Sequence, residues 1–177
     1  MLTTPTPVTC GLLSVLTRQP STRYCRARDL ASRLLSRLRV RDGDGRPFGK
    51  LTLSISSYVP KPWTPFQWAP FDEPRSLEEK LGIIKRAVAR FSNVRVLHEN
   101  PREAFLQALL ARGDRRVAEF LETAARLGGD WRKALREWEG DPAFYTTRAR
   151  PLDEVFPWDH LDLGVKKAGL IREYQNA

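Results

Sequence analysis

Two stretches of this sequence gather the residue types able to do chemistry. In Phe156-Pro157-Trp158-Asp159-His160-Leu161-Asp162 an imidazole stands between two carboxylates. Asp159 and Asp162 around His160 suit an acid–base pair or part of a metal site, because imidazole and carboxylate are common ligands of transition metals. A metal site needs three or four such ligands, and the other histidine, His98, is far away in sequence. The plainer reading is a loop whose polar groups cap neighbouring helices. The second stretch is Val59-Pro60-Lys61-Pro62-Trp63-Thr64-Pro65-Phe66-Gln67-Trp68-Ala69-Pro70. Lys61 and Gln67 are its polar heads, and Trp63, Phe66 and Trp68 are threaded between prolines. At the mouth of a barrel, after the carboxyl end of a strand where such folds bind ligands, Gln67 or Lys61 would touch substrate. Alternatively the stretch is a stiff loop whose aromatics staple the front half of the chain to its helical tail, the prolines lowering the entropy lost on ordering it.

The strand that would position this loop is Leu51 to Val59. Leu51, Leu53, Ile55 and Val59 fall on one face, with Thr52, Ser54, Ser56 and Tyr58 on the other. The hydroxyl face would look at water or into a cavity. No Gly-x-Ser-x-Gly context surrounds Ser54, Ser56 or Ser57, which argues against a serine nucleophile. No glycine loop able to cradle phosphate is present either. We assign no catalytic, cofactor-binding or metal-ligating residue to this chain.

Ahead of that strand, Leu30, Leu34 and Leu38 recur at helical spacing from Arg28 to Arg41, with arginines opposite. After it, five prolines between positions 60 and 74 exclude both a helix and an interior strand. Ser76-Leu77-Glu78-Glu79 reads as a capping box opening a helix to about Arg90, and Asn93 to His98 reads as a second strand. From residue 99 the pattern is helical. Asn100-Pro101 opens a helix that Gly113 stops, and Asp114 caps the next, which Gly128-Gly129 ends. Asp130 and Asp141-Pro142 open two more, and a loop from Pro151 to Gly164 leads to a last helix. Ala111-Arg112-Gly113-Asp114-Arg115-Arg116 reads as stop, cap and solvated arginines. The chain thus divides into a basic segment 1–47 with one amphipathic helix, a βα segment 48–98 with the Pro/aromatic loop, and a helical region 99–177.

Composition is that of an ordinary globular chain, 177 residues with 41% hydrophobic and 29% charged. The net charge is +9, and the first 50 residues hold ten Lys/Arg against three acids. That patch would attract phosphates, so a stand-alone nucleic-acid-binding module is one reading; solvated surface is the other. Cys10 and Cys25 make no disulfide framework. The apolar run Cys10–Leu16 has no basic segment before it and is too short to span a bilayer, so a membrane anchor is not expected and a cytoplasmic location follows by elimination.

The block Val59 to Trp68 resembles the signature of large radical SAM proteins that carry an N-terminal cobalamin-binding domain. The likeness continues through Ala108-Leu109-Leu110-Ala111-Arg112-Gly113-Asp114-Arg115-Arg116, Asp141-Pro142-Ala143-Phe144-Tyr145 and Pro151-Leu152-Asp153-Glu154-Val155-Phe156-Pro157-Trp158-Asp159-His160-Leu161-Asp162-Leu163-Gly164. It covers residues 48 to 177, whereas residues 1–47 match weakly. The resemblance implies an α/β front made of late strands and helices of a partial TIM-like barrel, followed by an all-helical C-terminal region. It implies [4Fe–4S], SAM and cobalamin as cofactors of the full-length family, and a cluster-bearing radical SAM chain as partner. Ser54, Ser56 and Tyr58 would line the substrate cavity, and Trp63, Phe66, Gln67 and Trp68 would close it. Cluster chemistry needs three thiolates, usually spaced Cys-x3-Cys-x2-Cys. This chain offers two cysteines with fourteen residues between them, so the donor set does not fit a [4Fe–4S] cluster.

Overall fold

The computed structural model describes residues 9–10 and 51–177; the amphipathic helix expected over Arg28–Arg41 lies outside them. The first compact unit takes in residues up to Tyr58 and Pro74–Pro101. Its sheet runs β1 (Thr9–Cys10), β2 (Leu51–Ile55) and β3 (Val94–His98) in that order, all parallel. Leu53 lies opposite Val96 and Ile55 opposite His98, so the apolar residues of β2 and β3 share a face. Leu53 is buried there, with Val94 and Val96 half-buried. The other face pairs Thr52 with Arg95 and Ser54 with Leu97, and Ser54, Arg95 and Leu97 are exposed.

Sequence alternation carries β2 on to Val59, but the strand stops at Ile55. The physical reason is its partner: β3 ends at His98, opposite Ile55, and among the described residues no ladder remains for Ser56 to Val59 to join. The helix that follows, α1 (Pro74–Val88), begins two residues before the expected cap at Ser76. Proline at the first helical position has its φ already set and no N–H to lose, which makes Pro74 the stronger start. Leu81, Ile84 and Val88 are its buried apolar side chains. The Lys85 ammonium donates to His98 Nε2 at 2.6 Å, while Nδ1 of that ring lies 3.0 Å from the Glu99 carbonyl oxygen.

The second unit comprises residues 59–73 and 102–177, so the Pro/aromatic loop groups with the helices. These are α2 (Pro101–Arg112), α3 (Val117–Arg126), α4 (Trp131–Glu137), α5 (Pro142–Tyr145) and α6 (Lys167–Asn176). The α3–α4 turn shows how local chemistry sets the path. Gly128 and Gly129 take φ of 66° and 91°, and Gly129 N–H returns to the Ala124 carbonyl at 2.8 Å. Only glycine enters that region without a Cβ penalty. Asp130 then accepts from Lys133 N–H at 3.0 Å and caps α4.

Two apolar clusters stabilise this unit. Leu109, Val117, Phe120, Ala134, Trp138 and Tyr145 form one. Trp68, Phe156, Trp158 and Leu170 form the other, with Trp63, Leu152, Ile171 and Tyr174 packed against it. Among the described residues no helix is long and apolar enough to cross a membrane.

Candidate functional site

The Pro/aromatic loop is built around Gln67. Its Oε1 accepts from the backbone N–H of Trp63 at 3.0 Å and from Trp158 Nε1 at 2.9 Å. The first bond holds Trp63 in a left-handed turn (φ 56°), a conformation uncommon for a bulky residue. The second ties this loop to a segment 91 residues further along. Thr64 Oγ1 donates to Lys61 O at 2.8 Å, and Ala69 N–H to Phe66 O at 2.9 Å. Trp68 lies wholly buried between Phe156 and Tyr174, with ring centroids 5.9 and 5.8 Å away. Phe66 meets Tyr174 edge-on at 6.0 Å. The structure therefore brings Trp63, Phe66, Gln67 and Trp68 together, with Gln67 and Trp68 facing inward, and leaves Lys61 exposed.

Two arginines anchor this region from within. Arg112 is 1% exposed and donates from one terminal nitrogen to the carbonyls of Ala69 (3.0 Å) and Thr146 (2.9 Å). The solvated arginine expected at this position is instead a buried clamp on two loop carbonyls. Helical spacing carries the signal: position 112 continues the buried stripe of Ala104, Ala108 and Leu109. Arg150 is 6% exposed; it donates to the carbonyls of Arg112 and Tyr145, both at 3.2 Å. Its guanidinium lies over Phe156 and Trp158, 5.3 and 5.7 Å from the ring centroids. Burial pulls its pKa below the ordinary arginine value, against the attraction of Glu154, whose carboxylate is 3.9 Å away. No periodic pattern marks Arg150 in the sequence.

Asp159, His160 and Asp162 part company. The Asp159 carboxylate accepts from Phe156 N–H at 3.0 Å and from the Lys167 ammonium at 2.7 Å. Asp162 is exposed and accepts from Gly164 N–H at 2.8 Å, and His160 points to solvent. Among the described residues no three His, Cys, Asp or Glu side chains could hold a metal ion. Ser54, Ser56 and Tyr58 belong to the first unit, Ser54 exposed and the other two half-buried.

A constellation that sequence spacing did not reveal joins Asp114, Arg116 and Tyr145. Asp114 was expected to cap α3. Instead it sits before the helix as the hub of a turn, accepting from Arg116 N–H at 2.9 Å and from the Tyr145 hydroxyl at 3.0 Å. Arg116 also reaches it through Nε and Nη2. The hydrogen bond from Arg116 leads the causes that hold the Asp114 carboxyl down at about 2, while burial, first, and the bond to Asp114 push the Tyr145 phenol up. Beside the network opens a groove of about 390 Å³ lined by Arg116, Glu119, Trp138, Asp141, Phe144 and Tyr145, among others.

Because the folded-state pKa of Asp114 lies below its unfolded value, its stabilising contribution is full above about pH 4 and is lost as pH falls towards about 2. Asp114→Asn should remove that part of the acid transition. Stability measured by denaturant titration between about pH 5 and about pH 2 should then fall less steeply than in the wild type. Parallel curves would remove Asp114 from the account.

Known proteins give one informative match. The chain is 33% identical over 73 residues to an uncharacterized protein of Methanocaldococcus jannaschii, covering 41% of this chain and 16% of that protein. The aligned stretch is thus a small part of a much longer relative. No family model matches, and no solved structure matches.

Proposed function

We propose that this chain is the C-terminal part, or a separate subunit, of a cobalamin-type radical SAM enzyme of the cytoplasm, supplying walls and bracing to a substrate cavity without catalysing alone. One observation carries the reading. The two blocks on which the family likeness is most specific, Val59–Trp68 and Pro151–Gly164, interlock through Gln67 and Trp158 in a single buried cluster. Segments far apart in sequence that resemble one family and also pack together behave as one inherited structural piece. A second support is the sheet: among the described residues β3 pairs on one side only, and Ser54, Arg95 and Leu97 lie exposed on one face. A parallel sheet is normally covered on both faces. In this reading the cover is the rest of a barrel, supplied by a chain carrying the three cluster cysteines, and the hydroxyl face of β2 turns towards the cavity.

Anaerobic co-expression with the reading frame immediately upstream tests it. The expected result is a brown, cluster-bearing complex that contains this chain in fixed ratio. The reading fails if the chain purifies alone as a cooperative monomer. Binding to duplex DNA that weakens steeply with salt would favour the nucleic-acid module instead.

A further inference from the structure

We infer that residues 151–165 form the surface through which this chain docks its protein partner, and that the partner's matching face is apolar and ringed by lysine and arginine. The inference rests on the reading above, in which the partner is the cluster-bearing chain.

The segment has an inside and an outside. Phe156 and Trp158 are buried and stacked on one another at 4.8 Å. Trp158 is pinned by Gln67, and Phe156 packs on Trp68. The Lys167 ammonium bonds the Glu154 carbonyl at 2.9 Å and the Asp159 carboxylate at 2.7 Å, drawing the start of the segment towards the residues after its end. Arg148 grips Glu154 with two bonds of 2.8 and 2.9 Å. These contacts fix the backbone, yet the segment turns apolar side chains to solvent. Val155 is 83% exposed, Leu163 59%, Leu161 48% and Val165 43%. Scattered apolar residues need no explanation, but four within eleven residues of a braced segment mark an interaction site.

Charge selects the occupant. Residues 151–165 hold four acids and no lysine or arginine, in a chain of net charge +9. Glu154 and Asp159 are paired with Arg148 and Lys167. Asp153 and Asp162 remain exposed and stand within two residues of Val155, Leu161 and Leu163 in sequence. A nucleic acid or an anionic lipid surface would be repelled by them; a protein face with basic residues around an apolar centre is complementary.

The test compares the wild-type chain with the double variant Leu161→Asp/Leu163→Asp and with Asp153→Lys, each co-expressed with the upstream cluster-bearing chain. These side chains are exposed, so both variants should keep the wild-type circular dichroism and unfolding midpoint. The double variant should weaken association at least about tenfold, and Asp153→Lys should weaken it and flatten its dependence on salt. If the wild-type chain forms no complex, the functional reading and this inference fall together. A complex that the double variant leaves unweakened sinks the inference alone. Sedimentation velocity reads the remaining alternative: a wild-type dimer that the double variant turns into monomer assigns the surface to a second copy of this chain and overturns the inference.

Discussion

Arg112→Ala should destabilise the helical unit by about 3 kcal/mol, a fall of roughly 10 °C in the unfolding midpoint for a chain of this size. The guanidinium is 1% exposed and donates to Ala69 and Thr146, carbonyls that lie 43 and 34 residues away in sequence. Removing it opens a cavity where the loop after Gln67 meets α2 and the end of α5, and deprives buried carbonyl oxygens of a donor. Thr146 keeps a bond from Phe71 N–H at 2.9 Å, so most of the unmet cost falls at Ala69. Two further substitutions divide the effect. Arg112→Met fills most of the volume with no donor and isolates the hydrogen-bonding part. Arg112→Lys keeps the charge but not the planar fork, and should recover only part of the loss. Equilibrium denaturation of the three variants checks the ordering. Stability of Arg112→Met within about 0.5 kcal/mol of wild type would show that the carbonyl bonds give no net stabilisation.

Arg112 also shows what a sequence reveals and what it hides. Its place on the helical stripe of α2 was visible, yet its residue type argued for solvent, because arginine is almost never fully buried unless paired. Backbone carbonyls from two distant loops are its partners, and no local pattern announces them. Elements with strong local chemistry were legible: the Asp130 cap, the Gly128-Gly129 stop and the Asp141-Pro142 start all lie where the residues place them. Ser76 misled because a capping box competes with a proline two residues earlier. Val59 misled because alternation marks residues able to form a strand, whereas the partner strand decides where one ends. The candidate site was legible in part. The aromatic and proline content of residues 59–70 marked a rigid, contact-rich loop, but only the fold reveals that Gln67 spends its oxygen on Trp63 and Trp158. The Asp114–Tyr145 bond, across 31 residues, left no trace in spacing.

Trp68→Ala should cost about 4 kcal/mol and act on one half of the helical unit. The ring is fully buried against Phe156 and Tyr174, and its cluster includes Leu170 and Ile171 of α6. Phe120 of α3, Ala134 of α4 and Trp138, which follows α4, belong to the other cluster. Loss of the indole therefore releases α6 and the segment around Phe156 first, because Leu170 and Tyr174 lose the surface that holds their helix down. A helix of ten residues has little stability of its own in water. Hydrogen exchange should show the amides of α6 deprotected in the variant while α3 and α4 keep their protection. Trp68→Phe, which retains an aromatic plate of smaller area, should restore roughly half the loss. Exchange that rises equally in α3, α4 and α6 would mean that the two clusters unfold as a single cooperative body, and that Trp68 stabilises the whole unit rather than the docking of its last helix.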